Sequence, residues 1–296
     1  MFVDAHFHLW DLERNPHYPW LLGPIVPSHM GDYRDLQRSY RVADYLADCG
    51  EVRPTAAVHV EANWRRDDPV GETRWLQGVA DEYGYPQAIV CHADLAADDP
   101  LPVLEAQSRF ANVRGVRRMT TEPGRGLASL RAGANVLCDE RFSRNLRLLL
   151  RFGWSLDMQA TPAVMGDAAR LAAAHPDLQI ALTHAGLPID RSAEGLALWR
   201  RGLTEMAARP NVFVKLSGLA MVDPGWTADS VAESIRVVVD LFGPERCMLG
   251  SNFPVDRLRA KPDCLLRACI AAIEWLGASE REAVLGRTAA GFYRIK

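Results

Sequence analysis

Eight short runs of aliphatic and β-branched residues alternate with longer amphipathic stretches along almost the whole chain. This alternation constrains the fold more than any other feature. Runs that are apolar on both faces must be covered on both sides, which in a βα alternation means a parallel sheet layered with helices. The runs are residues 2–8, 55–62, 87–94, 113–119, 154–159, 179–184, 212–217 and 246–252. Between them, residues 70–83, 101–110, 140–152, 163–175, 193–208 and 230–242 carry apolar side chains at three-to-four spacing, the period of a helix with one buried face. Gly84 and Pro162 punctuate this pattern as stop and start signals. Eight strands in strict alternation predict an α/β chain closed into a (β/α)₈ TIM barrel rather than an open sheet, built as a single domain over residues 1–296.

Two stretches interrupt the rhythm. Residues 11–39, with Pro16, Pro19, Trp20, Pro24 and Pro27, follow the first run, and residues 120–138, with Pro123, Gly124, Gly126 and Gly133, follow the fourth. Both read as long βα loops. In a barrel such loops lie at the C-terminal face, where active sites are built.

Charge narrows the partners. With 34 basic against 37 acidic residues the net charge is −3, so nothing draws the chain to nucleic acid or to an anionic membrane, and a small-molecule substrate is expected. No run approaches the ~18 apolar residues of a membrane span. The opening MFVDAHFHLW lacks the basic start and apolar core of a signal peptide. The six cysteines, Cys49, Cys91, Cys138, Cys247, Cys264 and Cys269, form no CxxC pair, which predicts reduced thiols in a cytoplasmic protein. The oligomeric state is left open, a homodimer being one arrangement.

The polar residues are more informative for their position than for their number. Nearly every strand run finishes in side chains able to do chemistry: His6 and His8, His59 and Glu61, His92 and Asp94, Arg117, Gln159, His184, Lys215 and Ser217, then Asn252 followed by Asp256. Polar groups buried at one end of a sheet are costly unless paired, so a converging site is the economical explanation. His6 and His8 are two apart on a strand and therefore share a face, from which both imidazoles can reach one metal ion or simply bond to neighbours. His59 alternates with Glu61 in the same way, which predicts that both point into the barrel mouth. His92 is expected as a core histidine bonded to backbone. Lys215 is either a substrate-carboxylate contact or the partner of a neighbouring acid. Ser217 has no GxSxG elbow around it, so an acyl-enzyme is not expected. The aromatics Trp10, Tyr18, Trp20 and Tyr33 either close over a substrate, Trp20 among them as a binding residue, or pin their own loop.

In combination, VDAHFHLW, VHVEANW, RGVRRM, THAGLP, VKLSGL and MLGSNFPVD resemble the amidohydrolase superfamily. The similarity is to its branch of TIM-barrel hydrolases that contains sugar lactonases, sulfomuconolactonase and pyrone-dicarboxylate lactonase. The resemblance implies that His6 and His8 bind a divalent ion, zinc first among them. It makes His184 a metal ligand or a group that polarises the substrate carbonyl. The branch also includes members that work without metal. Its eighth-strand motif usually carries an aspartate that activates water, and here Asn252 stands in that place. An amide does not accept a proton near neutral pH, so the general base must be sought elsewhere: Asp256 first, then Glu61, with Asp94 also open. Two-metal members need a lysine or histidine on the fourth or fifth strand, where this chain has Arg117 and Gln159. One ion or none is therefore expected.

The resulting expectation is hydrolysis of a cyclic ester, a carboxylated or polyhydroxylated lactone, by activated water. His184, Asp256, Glu61 and Asn252 stand at the chemistry, and Arg117, His59, Lys215 and Trp20 around the substrate. Two other functions fit the same residues: a metal-dependent, non-oxidative decarboxylase of an aromatic or muconate-like acid, and a small-molecule binder that has lost catalysis along with the usual aspartate.

Overall fold

The eight apolar runs become eight strands in the structure, a computed structural model that describes residues 1–26, 29–120 and 136–295. They are β1 (Val3–Phe7), β2 (Ala56–Val60), β3 (Ala88–His92), β4 (Val113–Met119), β5 (Ser155–Gln159), β6 (Ile180–Leu182), β7 (Val212–Leu216) and β8 (Cys247–Leu249). Each pairs in parallel with the next, in sequence order around one sheet. The two end strands are drawn together just beyond β8. There the His8 N–H donates to the Phe253 carbonyl at 2.8 Å and the Asn252 N–H to the His6 carbonyl at 2.7 Å. Asp4 fastens the same seam, accepting the Ser251 N–H at 2.9 Å, the Ser251 hydroxyl at 2.6 Å and the Tyr45 hydroxyl at 2.7 Å. The sheet is thereby curled into the nearly closed (β/α)₈ barrel that the alternation predicts.

Helices Gly71–Tyr83, Glu140–Phe152, Ala193–Ala207 and Ala228–Phe242 lie where the apolar periodicity puts them. Local chemistry fixes their starts: Asp139 accepts from the Phe142 N–H, Ser192 from the Gly195 N–H and Thr227 from the Ser230 N–H, each satisfying a donor that the first turn leaves open. The stretch 101–110 is helical only over Leu101–Gln107, and 163–175 is helical over Met165–Ala174 after a 3₁₀ turn at Pro162–Val164.

Two differences from the sequence reading bear on the site. β6 and β8 are three residues long, because His184 and Asn252 each take a φ of 55°, outside the extended region that a strand requires. The chemistry-bearing residues of these runs therefore sit in turns just past the strand ends. Residues 11–39 are not wholly irregular: they contain the short helix Pro19–Leu22 and the 3₁₀ turn Arg34–Leu36, and the helix Val42–Cys49 follows. Elements of one or two turns are too short to show a period. Most of the long stretch after β4 lies outside the described residues.

The barrel interior begins as a layer of small and branched side chains, Val3, Ala5, Val58, Val60, Ala88, Val90 and Met248, closed from below by Phe292 and Tyr293. Among these inner side chains Lys215 and Asp157 form a fully buried ion pair, Nζ to Oδ2 2.6 Å, and the Tyr293 hydroxyl donates to the same oxygen at 2.8 Å. Among the described residues no helix is long and apolar enough to cross a membrane.

Candidate active site

The register of β1 shifts between Asp4 and Phe7. Ala5 belongs to the inner barrel, whereas Phe7 stacks outward on Tyr45 with ring centroids 4.2 Å apart. The shift turns His6 toward the mouth, with His8 above it. Their rings are 5.0 Å apart and steeply inclined, and the ring of His184 lies 4.5 Å from that of His6. All three histidines are buried, so the imidazoles that the sequence places on β1 and after β6 do come together.

Two glycines make room for this approach. Gly218 takes a φ of +65°, and a Cβ there would lie 2.7 Å from His184 Nδ1; a Cβ on Gly250 would lie 2.9 Å from the Cβ of His6. Either side chain would push a ring out of the cluster.

The rings are also oriented. His8 Nδ1 lies 2.7 Å from the Val60 carbonyl and so carries the proton, leaving Nε2 a lone pair. His184 Nδ1 is 3.1 Å from the Ser217 hydroxyl. Neither ring nitrogen of His6 has a hydrogen-bond partner among the described residues. Burial pushes all three imidazoles well below their ordinary pKa. Neighbouring groups add to the effect: the competing protonation of His184 and the charge of Lys215 at His6, and the charge of Arg117 at His8 and His184. The cluster is therefore uncharged at neutral pH.

Arg117, whose charge acts on these rings, is paired with a carboxylate. Its guanidinium donates to the Glu61 carbonyl at 2.7 Å and to Gln159 Oε1 at 3.0 Å, and lies 3.9 Å from Glu61 Oε1. Burial pushes Glu61 up, but Arg117, with His92 and Arg66, holds it below the ordinary carboxylate value. Glu61 thus stays ionised. Its Oε2 accepts the Asn63 N–H at 2.8 Å.

Asp256 differs in both respects. It lies in the 3₁₀ turn Val255–Leu258, takes the Met221 N–H on Oδ1 at 2.6 Å, and is bonded by the Asn252 side chain and the Gly218 backbone. Burial pushes its pKa up to about 8. Asn252 itself donates toward Met221 Sδ at 3.7 Å.

Other expected residues take different places. His59 lies between Val58 and Val60, which face the barrel interior, so period two turns it outward. Its Nε2 meets the Leu9 carbonyl at 3.3 Å and its ring packs edge-on against Phe7. The His59 ring also lies 6.0 Å from that of His8, edge-on, so it borders the histidine cluster from the β2 side. His92 is not a backbone-bonded core histidine: it is half-buried, with the Arg66 guanidinium 2.6 and 2.8 Å from its ring nitrogens. Lys215 is engaged by Asp157, the acid-partner alternative of its two readings. Trp20 donates its indole N–H to the Ala62 carbonyl at 2.7 Å and packs against Trp10 and Tyr33, which pins the first loop to the end of β2. Asp94 stays at the exposed rim, 3.5 Å from Arg118.

Two residues near the site had no signal in the sequence. Glu72, in the first turn of Gly71–Tyr83, reads there as an ordinary helix-start acid, yet it is buried and accepts the Ala62 N–H at 3.0 Å. His29 comes from the first loop; burial pushes its pKa down to about 4, and its charge would oppose protonation of His184. No spacing rule links a loop histidine to a strand.

The donor set suits a divalent ion. Three neutral imidazoles, one with its free nitrogen fixed by a backbone carbonyl and one with both nitrogens unbonded, are the ligand chemistry that zinc takes. Among the described residues, no three histidine, cysteine, aspartate or glutamate side chains form a ready-made cage. The fit is one of chemistry and proximity.

The chain is similar to known proteins over nearly its whole length. A family model described as amidohydrolase matches residues 3–295. The uncharacterized protein y4mH of Sinorhizobium fredii is 37% identical over 295 residues, covering 99% of this chain and 98% of its own. An L-fucono-1,5-lactonase of Burkholderia multivorans is 30% identical over 315 residues, covering 99% and 96%. Among solved structures, an amidohydrolase from Burkholderia multivorans with bound zinc is similar with a TM-score of 0.82 at 28% identity, covering 100% of both chains.

Proposed function

For a chain that belongs to the amidohydrolase family, we propose hydrolysis of a lactone, with water attacking the ring carbonyl at the mouth of the barrel. The observation that carries this reading is the cluster of His6, His8 and His184, buried and neutral, with the His8 and His184 rings 5.0 and 4.5 Å from that of His6. The lactonase relative at 30% identity supports the choice of substrate class.

The chemistry follows from protonation states. A neutral imidazole presents one N–H and one lone pair. With the Ser217 hydroxyl donating to Nδ1, His184 turns an Nε2–H outward, and such a donor stabilises the oxyanion that forms as water adds to the carbonyl. With Nδ1–H donating to Ser217 instead, Nε2 offers a lone pair. A divalent ion such as zinc would be held by His6, His8 and His184, and when bound it supplies Lewis-acid polarisation of the ester carbonyl.

The attacking water must lose a proton, and Glu61 is the group we assign to take it. Glu61 is held ionised at neutral pH by Arg117, whose charge also acts on His6, His8 and His184. Asp256 holds its own proton up to about pH 8, and its oxygens are occupied by Met221, Gly218 and Asn252. Collapse of the tetrahedral adduct breaks the ring C–O bond, and the proton on Glu61 passes to the departing alkoxide, giving a hydroxy acid. Arg117, whose Nε is buried and without a partner among the described residues, is suited to hold a carboxylate or a ring oxygen of the substrate.

The test is turnover of a panel of sugar and carboxylated lactones, read as acid release, beside dihydroxybenzoates, read as carbon dioxide release. Acid release from at least one lactone supports the reading. Carbon dioxide release alone would replace it with decarboxylation, and tight binding without turnover would replace it with a binding role.

A further inference from the structure

We propose that Glu72 is a positioning residue for Glu61: from the first turn of Gly71–Tyr83 it holds the backbone that follows Glu61, and so fixes where that carboxylate stands. The proposal rests on the role given to Glu61 above.

The geometry is local and almost fully satisfied. Glu61 leaves the end of β2 with its N–H on the Val90 carbonyl at 2.9 Å and its own carbonyl on Arg117 at 2.7 Å. The next residue, Ala62, is gripped at both backbone groups: its N–H by Glu72 Oε1 at 3.0 Å, its carbonyl by the Trp20 indole at 2.7 Å. Asn63, at a φ of 60°, then turns its N–H back onto Glu61 Oε2. Of these anchors only Glu72 is a buried acid supplied by a helix. Gly71 lets that helix begin close to the loop, since a Cβ there would lie 2.7 Å from Trp64 Nε1.

The electrostatics support the same role. Glu72 is faced by Glu61 from the β2 end, by Tyr18 from the first loop and by Arg117 from β4, with Cys91 of β3 also within electrostatic reach. Burial, then Glu61, pushes the Glu72 carboxyl up to about 8. At neutral pH one member of the pair carries the charge and the other does not. Glu72 can therefore accept the Ala62 N–H without placing a second negative charge beside the proton acceptor. Above its pKa it adds that charge.

The experiment compares Glu72→Gln and Glu72→Ala with the wild-type protein on a lactone it hydrolyses. Glu72→Gln keeps an acceptor and cannot ionise. It should keep kcat within about threefold at pH 7 and remain active above pH 8, where the wild type declines. Glu72→Ala, which frees the Ala62 N–H, should lose roughly tenfold or more in kcat with little change in KM, because a small misplacement of a reacting group is expensive. Unchanged kcat in Glu72→Ala, or a Glu72→Gln profile that declines with the wild type, overturns the proposal. An infrared difference spectrum between wild type and Glu72→Gln at pH 7 reads the neutral carboxyl without any substrate. If no lactone is turned over, the reaction reading fails on its own, and absence of that band overturns the proposal separately, by showing that Glu72 sets a second negative charge beside Glu61.

Discussion

The ring of His184 lies 4.5 Å from the ring of His6, although β6 and β1 are not neighbours in the sheet. Only closure of the barrel brings them together, and the close approach depends on Gly218 and Gly250 having no side chains. The cluster is expected to be functional rather than structural. His6→Asn and His184→Asn should each lower kcat by about 10²-fold or more while leaving the fold intact by circular dichroism, the size of effect seen when one transition-state donor is removed. Elemental analysis of the same variants checks the metal: zinc should accompany the wild-type protein and be lost from His6→Asn. Wild-type activity in either variant would remove the cluster from the chemistry.

Glu61 and Asp256 are separable by substitution. Glu61→Gln keeps the shape and removes proton acceptance, so kcat should fall by about 10²-fold to 10⁴-fold. Asp256→Asn replaces a group that is already neutral at pH 7, and kcat should stay within about tenfold. The reverse ranking in steady-state kinetics would move the base to Asp256.

How much of this was legible in the sequence depends on range. The eight strands and the longer helices announced themselves through period, because a buried strand and an amphipathic helix cannot be written without it. His6, His8 and His184 were legible because they sit at strand ends, where the fold itself dictates convergence. Position on a strand was a poorer guide to orientation. The ring of His59 meets the Leu9 carbonyl and stands 6.0 Å from His8, contacts that alternation along β2 does not specify. His92 was misread because its neighbour Arg66 comes from another loop. Glu72 was missed since its burial is created by contacts with Ala62 and Tyr18 that no local pattern encodes.

Inside the barrel, Lys215 and Asp157 should be worth more as a pair than either is alone. Both are fully buried and 2.6 Å apart. Lys215→Met leaves an unpaired carboxylate in an apolar setting and should cost about 3–5 kcal/mol of stability. Adding Asp157→Leu should recover much of that loss, since the desolvated charge goes with it. Denaturant midpoints of the two single variants and the double variant measure the coupling. Additive losses would show that the ion pair is not a unit.

Stability should fall as pH rises from about 6.5 to about 8, the opposite of the usual carboxylate behaviour. Glu72 and Asp256 both have folded pKa values near 8, against about 4 for the same groups in an unfolded chain. Over this window the unfolded chain has already released those protons while the native protein still holds them, so the unfolded state binds fewer protons and unfolding becomes easier with pH. Each group contributes a slope of roughly 1.4 kcal/mol per pH unit. The buried histidines act below this window: their folded pKa values are depressed, so their contribution is lost as pH falls below about 6.5. Urea unfolding at pH 6.5, 7.2 and 8 measures the slope, and Glu72→Gln should reduce it by about half. A flat profile between pH 6.5 and 8 in the wild-type protein would mean that neither carboxyl keeps its proton in the folded barrel.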